Sequence, residues 1–216
     1  INKIKEAELS TRKAIQIKPN YAEAHSNLGS ILQNLGKFKE AELSTRKAIQ
    51  INPYLADYHL NLGGILRDLG KLKEAELSTR KAIEINPKLH TGYYNLGTIL
   101  IDLGNLKEAE IYNKKALEIK PNHAKANLNM GRIMIDLGNL KEAEIYTQRA
   151  ITIKPDYSEA HFNLGIILKK RGNLKKAEIS TRKAIEINPN FSIAHNNLGD
   201  ILRELGALQQ AELSTR

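Results

Sequence analysis

The sequence predicts an all-α fold, a stacked array of short helix pairs. Three observations carry this. The six prolines, Pro19, Pro53, Pro87, Pro121, Pro155 and Pro189, stand 34 residues apart. Twelve of the 14 glycines form two ladders of the same period, Gly29 to Gly199 and, seven residues later, Gly36 to Gly206. Between these marks apolar residues recur at helical spacing and not in alternation. A fixed period without insertions points to repeats that stack, because a single closed core gives no reason for turns at constant intervals.

With Ala22 as position 1 of a repeat, residues 1–21 are the C-terminal part of one repeat. Full repeats follow at 22–55, 56–89, 90–123, 124–157 and 158–191, and 192–216 is a truncated one, so that 1–216 forms a single array. In each repeat a first helix, A, covers about positions 2–14 and stops at the glycine of position 15. A second, B, covers about positions 18–30 and stops before the proline of position 32. On helix A of the first full repeat, Ala24, His25, Leu28, Gly29, Ile31, Leu32 and Leu35 share one arc. On its helix B, Phe38, Ala41, Thr45, Ala48 and Ile49 form the inner stripe. Helices this short are marginal alone, so neighbouring repeats have to cover these faces.

Composition narrows the class further. Hydrophobic residues make up 41% and charged residues 26% of 216, enough apolar surface to offset chain entropy and exclude disorder. The absence of cysteine excludes disulfides, thiolate metal sites and a Cys nucleophile. No apolar run approaches the roughly 18 residues of a membrane span, so no membrane partner is expected. Ile1-Asn2-Lys3-Ile4-Lys5 has neither an initiator Met nor the apolar core of a signal peptide. It reads as a cut from something longer, with a cytoplasmic location expected.

Leu28-Gly29, Ala41, Ala48 and Pro53, recurring at the same offsets through the whole chain, resemble the tetratricopeptide repeat family. Two positions depart from its pattern. Position 4 is often His (His25, His59, His161, His195), and position 24 is Thr or Asn (Thr45, Thr79, Asn113), where the family favours aromatic residues. Both departures are expected to weaken packing. The resemblance implies a right-handed superhelix of antiparallel helix pairs in which the A helices line a concave groove.

Chemistry is hard to find. Gly64 to Gly70-Lys71 is one residue too long for a phosphate loop, Leu72 stands where Ser or Thr is needed, and no strand precedes it. Asn190-Phe191-Ser192 fits a glycosylation sequon but reads as an inter-repeat turn. The position-4 histidines lie on neighbouring helices about 10 Å apart, too far to share one metal, and read as packing residues with a polar edge. No Ser-His-Asp or paired-carboxylate arrangement falls in one place, so neither enzymatic activity nor a metal or cofactor is expected. Glu42 with Arg46, Glu76 with Arg80 and Glu178 with Arg182 are i,i+4 pairs on exposed helix surface.

The net charge of +9 raises the question of nucleic acid. Much of it sits on helix B, at Arg46-Lys47, Arg80-Lys81, Lys114-Lys115 and Arg182-Lys183, outside the groove and beside glutamates. Aromatic residues that could stack bases are not interleaved with it. No specific nucleic-acid partner is expected.

The outward arc of helix A is more informative. Position 6 is Asn in every copy: Asn27, Asn61, Asn95, Asn129, Asn163 and Asn197. Asn is a mediocre helix former whose amide can pair with both N–H and C=O of an extended peptide. The ladder either contacts ligand backbone, the reading preferred, or ties neighbouring repeats together. A similar asparagine ladder lines the tetratricopeptide superhelix of protein O-linked N-acetylglucosamine transferase, which implies a ligand-backbone role. Beside it Leu60, Tyr94, Leu128 and Phe162 at position 5 form an apolar stripe for ligand side chains. Arg132 with Lys169 and Lys170 is expected to draw acidic ligand segments to one end. The family's carboxylate clamp needs Lys at position 5 and Asn at position 9 of one repeat, a pair this chain lacks.

Position 22 holds Leu or Ile in all seven B copies: Leu9, Leu43, Leu77, Ile111, Ile145, Ile179 and Leu213. A seam half-covered by Lys and Arg stems is expected there. The alternative is a second contact surface, for a partner or for self-association through the convex face. The function expected is a non-catalytic scaffold that binds a protein or an extended peptide segment in its groove. The alternative is the substrate-recognition array of a larger glycosyl- or sulfotransferase.

Overall fold

A computed structural model of the chain describes residues 2–214, with side chains for 3–206. Its helices are α1 (Asn2–Ile17), α2 (Ala22–Asn34), α3 (Phe38–Ile51), α4 (Ala56–Asp68), α5 (Leu72–Ile85), α6 (His90–Asp102), α7 (Leu106–Ile119), α8 (Ala124–Asp136), α9 (Leu140–Ile153), α10 (Ser158–Lys170), α11 (Leu174–Ile187) and α12 (Ser192–Ser214). No strand occurs among the described residues. The chain is an all-α solenoid of helical repeats, and it groups into two compact units, 1–119 and 120–216. Even-numbered helices are the A helices and odd-numbered ones the B helices, each within a residue of the expected bounds except α1, which starts earlier, and α12.

The turn from A to B depends on the second glycine ladder. Gly36, Gly70, Gly104, Gly138 and Gly172 have φ of 72, 74, 78, 80 and 75°, a region other residues rarely adopt. At the first of them Lys37 N–H donates to the Leu32 carbonyl at 2.9 Å and Gly36 N–H to that of Gln33 at 2.9 Å, the paired bonds of a Schellman ending. The expected sixth turn, at Gly206, does not form, and α12 runs through it to Ser214. Ala207 follows that glycine where the other repeats place Lys or Asn, and alanine favours continuation of the helix.

Within a repeat the two helices close on the first glycine ladder. A Cβ built on Gly29, Gly63, Gly131 or Gly165 would stand 2.0 to 2.4 Å from the hydroxyl of Thr45, Thr79, Thr147 or Thr181, and one on Gly97 would stand 2.2 Å from the Asn113 amide. These position-24 side chains are fully buried. They are therefore fitted to a close helix approach, which corrects the expectation that they weaken packing. Thr79 satisfies its hydroxyl by donating to the Ala75 carbonyl at 2.8 Å.

Between repeats the core interlocks. Leu28, Leu32 and Ala41 of one repeat pack with Ile65 of the next, flanked by Ile15 and Leu69. Leu62, Leu66 and Ala75 meet Ile99 in the same way, and in the second unit Leu168 and Ala177 meet Ile201. The position-4 histidines join these contacts by a specific bond. Nε2 of His25, His59, His161 and His195 lies 2.9 Å from the carbonyl of Pro19, Pro53, Pro155 and Pro189 respectively. A carbonyl only accepts, so Nε2 carries the proton in each. Asn127 replaces the histidine once and donates to the Pro121 carbonyl at 3.3 Å. These residues latch five of the A helices to the loop before them, α6 with Tyr93 at this position being the exception, which is more than a packing role.

The i,i+4 pairs on the B helices extend into an inter-repeat ladder in the first unit. Arg46 lies 2.9 Å from Glu42 and 2.7 Å from Glu74 of the next B helix, while Lys71 reaches back to Glu42 at 2.9 Å. Arg12 with Glu40 and Arg80 with Glu108 repeat the rung at 3.0 and 2.6 Å. Burial by itself would raise the Glu42 pKa, but hydrogen bonds from Lys71 and Arg46 outweigh it and the carboxyl sits below its ordinary value. The row at position 22, expected as a half-covered seam, is instead open. Leu9, Leu43, Leu77 and Ile179 are 68 to 71% exposed, and Ile111 and Ile145 just over half. The Lys and Arg stems beside them do not fold over. Leu213 lies outside the described side chains.

Two outcomes follow from these contacts. Gly63→Ala should destabilise the first unit by about 1–3 kcal/mol, since the added methyl meets the Thr79 hydroxyl. Adding Thr79→Ala should recover part of that loss in a double-mutant cycle read by urea unfolding. Because the Glu42 pKa is depressed on folding, its contribution is present above the ordinary carboxylate value and is lost as pH falls through the folded one. Glu42→Gln should accordingly cost up to about 1 kcal/mol at pH 7, its cationic partners being solvent-exposed. The difference between thermal melts of variant and wild type should shrink as pH falls below the ordinary carboxylate value and vanish once the Glu42 carboxyl is protonated.

Candidate functional site

The A helices present their outward arc side by side, and each unit carries its own stretch of this face. In the first unit a recess opens between α4 and α6. Gly64, Asn95, Tyr94 and Thr98 line it, with Gln33, Arg67 and Asp68 along its edge. Its origin is local. Gly64 is the position-9 residue of α4, and a Cβ added there would meet nothing closer than the Gln33 amide at 3.5 Å. Any larger residue would fill the space that the missing side chain leaves.

The asparagine ladder does not act as one set. Asn61 donates to Ser26 Oγ at 3.2 Å and Ser30 Oγ at 3.3 Å, both on the preceding A helix. Asn197 donates to Thr181 Oγ1 at 3.2 Å, on the preceding B helix. Asn129 is also engaged. These copies tie neighbours together. For Asn27, Asn95 and Asn163 no internal hydrogen bond occurs among the described residues. Asn27 is exposed, Asn95 and Asn163 are half-buried, and Asn95 lines the recess. The inter-repeat tie weighed from the sequence thus occurs in some copies, while others leave their amides without an internal bond.

The position-5 stripe is likewise half-buried throughout. Leu128 packs beside Ala150, Tyr157 and Ala160, and the Phe162 ring lies 5.1 Å from that of Phe191 on the following inter-repeat turn. Leu60 and Tyr94 complete it in the first unit. Each offers an edge, not a whole side chain, to a ligand.

Polar rungs cross the groove that the sequence reading missed. Gln33 Nε2 donates to Asp68 at 2.7 Å and Arg67 Nε to Asp102 at 2.6 Å, each linking position 12 to position 13 of the next repeat. Lys169 belongs to the same pattern in the second unit, 3.1 Å from Glu204 and 3.9 Å from Asp200. The signal was present as opposite partners 35 residues apart, one more than the repeat, a spacing that only the stagger of adjacent helices makes meaningful. Lys169 therefore has its charge matched internally. Lys170 and Arg132 are exposed, with no anionic partner among the described residues.

Nothing in the face assembles reactive groups. No cluster of three or more His, Asp or Glu side chains that could hold a metal occurs among the described residues. No described helix is long and apolar enough to cross a membrane. The face offers amides without internal bonds, apolar edges and fixed charge pairs.

A sequence model described as a tetratricopeptide repeat matches residues 22–55, 90–123 and 158–191. A second with the same description matches 56–89 and 124–157, and a third matches 181–212. No curated protein matches the chain. Among solved structures it is similar to YrrB, described as a TPR protein with an unusual peptide-binding site, at 25% identity and a TM-score of 0.64, over 86% of this chain and 96% of that one. It shares its fold with pilF of Pseudomonas aeruginosa at 20% identity and a TM-score of 0.80, over 94% of this chain and 90% of that one. The same holds for a chain of the APC/C hetero-tetramer Cut9–Hcn1, at 16% identity and a TM-score of 0.85, over 93% of this chain and 40% of that one.

Substitution at the two kinds of asparagine should separate them. Asn95→Ala should raise the melting temperature slightly, because Ala favours helix by about half a kcal/mol. Asn61→Ala should gain less or lose, since its two inter-repeat bonds go with it; equal shifts by calorimetry would mean those bonds contribute nothing.

Proposed function

Because the chain belongs to the tetratricopeptide repeat family, whose members generally serve as protein-interaction scaffolds, we propose that it is a non-catalytic scaffold that binds an extended peptide segment on the face formed by its A helices. The recess at Gly64 is the observation that carries this reading. It combines room for a ligand group with the amide of Asn95, which can donate and accept at once, and with the half-buried ring of Tyr94. In the second unit Asn163 beside Phe162 repeats the pairing of amide and apolar edge. Peptide binding by YrrB, which has the same fold, adds support. Lys170 and Arg132 are the residues that would favour an acidic segment in the second unit, with Lys169 already committed to its own carboxylates.

The test is selection from a random 12-residue peptide library, followed by calorimetric titration of the tightest peptide. Gly64→Leu should fill the recess and abolish binding. Asn95→Ala with Asn163→Ala should weaken it about tenfold, the scale of one or two lost hydrogen bonds. Melting temperatures should stay within a few degrees of wild type. Unchanged affinity in both variants would overturn the assignment.

A further inference from the structure

The B-helix side carries a second feature, in the second unit, that the scaffold reading does not use. In the first unit every pair of consecutive B helices is joined by an Arg-to-Glu rung: Arg12 to Glu40, Arg46 to Glu74 and Arg80 to Glu108. Between α9 and α11 the same positions hold Gln148 and Lys176. The arginine is replaced by a neutral amide and the glutamate by a cation, so the rung cannot form. A third change accompanies these two. Position 14 is Leu in the other repeats (Leu35, Leu69, Leu103, Leu137, Leu205) and Arg171 here.

A recess lies here; a counterpart lined by Arg46, Leu62, Leu77 and Ser78 occurs in the first unit beside an intact rung, so what sets this one apart is its charge. Leu164, Leu168 and Ile179 give it an apolar floor, with Arg171 and Lys176 at its rim and Ser180 keeping it open. The position of Ser180 is serine also at Ser44 and Ser78, but on α7 it is Tyr112, whose ring stacks 6.2 Å from Tyr93 and whose hydroxyl accepts from Arg80 at 2.6 Å. A ring of that size at Ser180 would occupy the space. A second recess continues across the outer face of α9 past Ile145 and shares Glu144, Gln148 and Arg171 with the first. Glu144 is neutralised by its ion pair with Arg171. Lys176 is exposed and has no anionic partner among the described residues. Ile179, beside it, is 68% exposed.

We propose that this recess between α9 and α11 is a second binding site, distinct from the A-helix face, for a peptide segment of a partner protein in which an apolar side chain stands next to a carboxylate. The apolar side chain enters between Leu164, Leu168 and Ile179, and the carboxylate pairs with Lys176. Charge selects the occupant. Of the three substitutions around the recess, Lys176 in place of Glu and Arg171 in place of Leu add positive charge, while Gln148 in place of Arg loses a cation. That loss frees the neighbouring cation from like-charge repulsion and leaves an amide donor in its place. A purely apolar partner would leave Lys176 and Arg171 desolvated at the rim, which costs binding energy.

The probe is a fluorescein-labelled peptide of alternating Leu and Asp, eight residues long, with a Leu-Lys peptide as control, read by anisotropy at 50 and 300 mM NaCl. The acidic peptide should bind, weaken several-fold in the higher salt, and outcompete the basic one. Gln148→Arg/Lys176→Glu rebuilds the rung found in the first unit, so it should fold with an unchanged or higher melting temperature and lose binding at least tenfold. Ser180→Tyr should also lose it, whereas Asn95→Ala/Asn163→Ala on the A-helix face should not. No binding by wild type, equal binding by the rung-restored variant, or loss only in the asparagine variant would each overturn the proposal. The last of these would assign the acidic peptide to the A-helix face instead.

Discussion

Each repeat depends on the approach of its two helices at one point, where a glycine of helix A faces a Thr or Asn of helix B with no room for a Cβ. Within that distance the neighbouring side chains of the repeat reach each other: Leu28 and Leu32 settle against Ala41, and Leu62 and Leu66 against Ala75. The alanines on helix B are fully buried for the same reason, since a larger residue would hold the helices apart. The left-handed glycine at each turn serves this contact by reversing the chain tightly enough to bring the helices together. Packing of one helix pair then leaves an apolar edge that only the next pair can cover, which is why the fold extends as an array and not as a closed core.

Once the backbone frame is set by these contacts, the two exterior faces are free to differ. On the A-helix side, polar groups are spent in two ways. Some copies of a side chain, such as Asn61, hold neighbours in register, while Asn95 lines a recess where a single glycine has removed a wall. On the B-helix side, ion pairs run from helix to helix, and Arg80 shows how strongly they can be held. Desolvation works against its charge, but Glu108, Glu76 and Tyr112 more than compensate, so its pKa lies above the ordinary value. Such rungs tie one B helix to the next.

The period, the helix pairs, the helix ends other than that expected at Gly206 and the inner stripes were legible in the residues, because each rests on local rules: proline and glycine end helices, and apolar residues at helical spacing must be covered. The fully buried Ala41, Ala75, Ala109, Ala143 and Ala177 sit where helical spacing places them. What could not be read was any property that depends on the stagger between neighbouring helices. The rung from Arg67 to Asp102 joins residues 35 apart, and the rung from Arg46 to Glu74 joins residues 28 apart, neither of which is the period of the repeat. The division of the asparagines between internal bonds and unbonded amides depends on which hydroxyls packing brings within reach, as it does Ser26 and Ser30 for Asn61 and Thr181 for Asn197. The exposure of Leu43 and Leu77 was missed because the cationic stems near them are drawn to other partners, Lys47 to Gln50 and Lys81 to Glu84 along their own helices and Arg46 to Glu74 on the next. Local propensity acts within a few residues and so is written in order along the chain, whereas a pairing between repeats is decided only when packing has set the offset of one helix against the next.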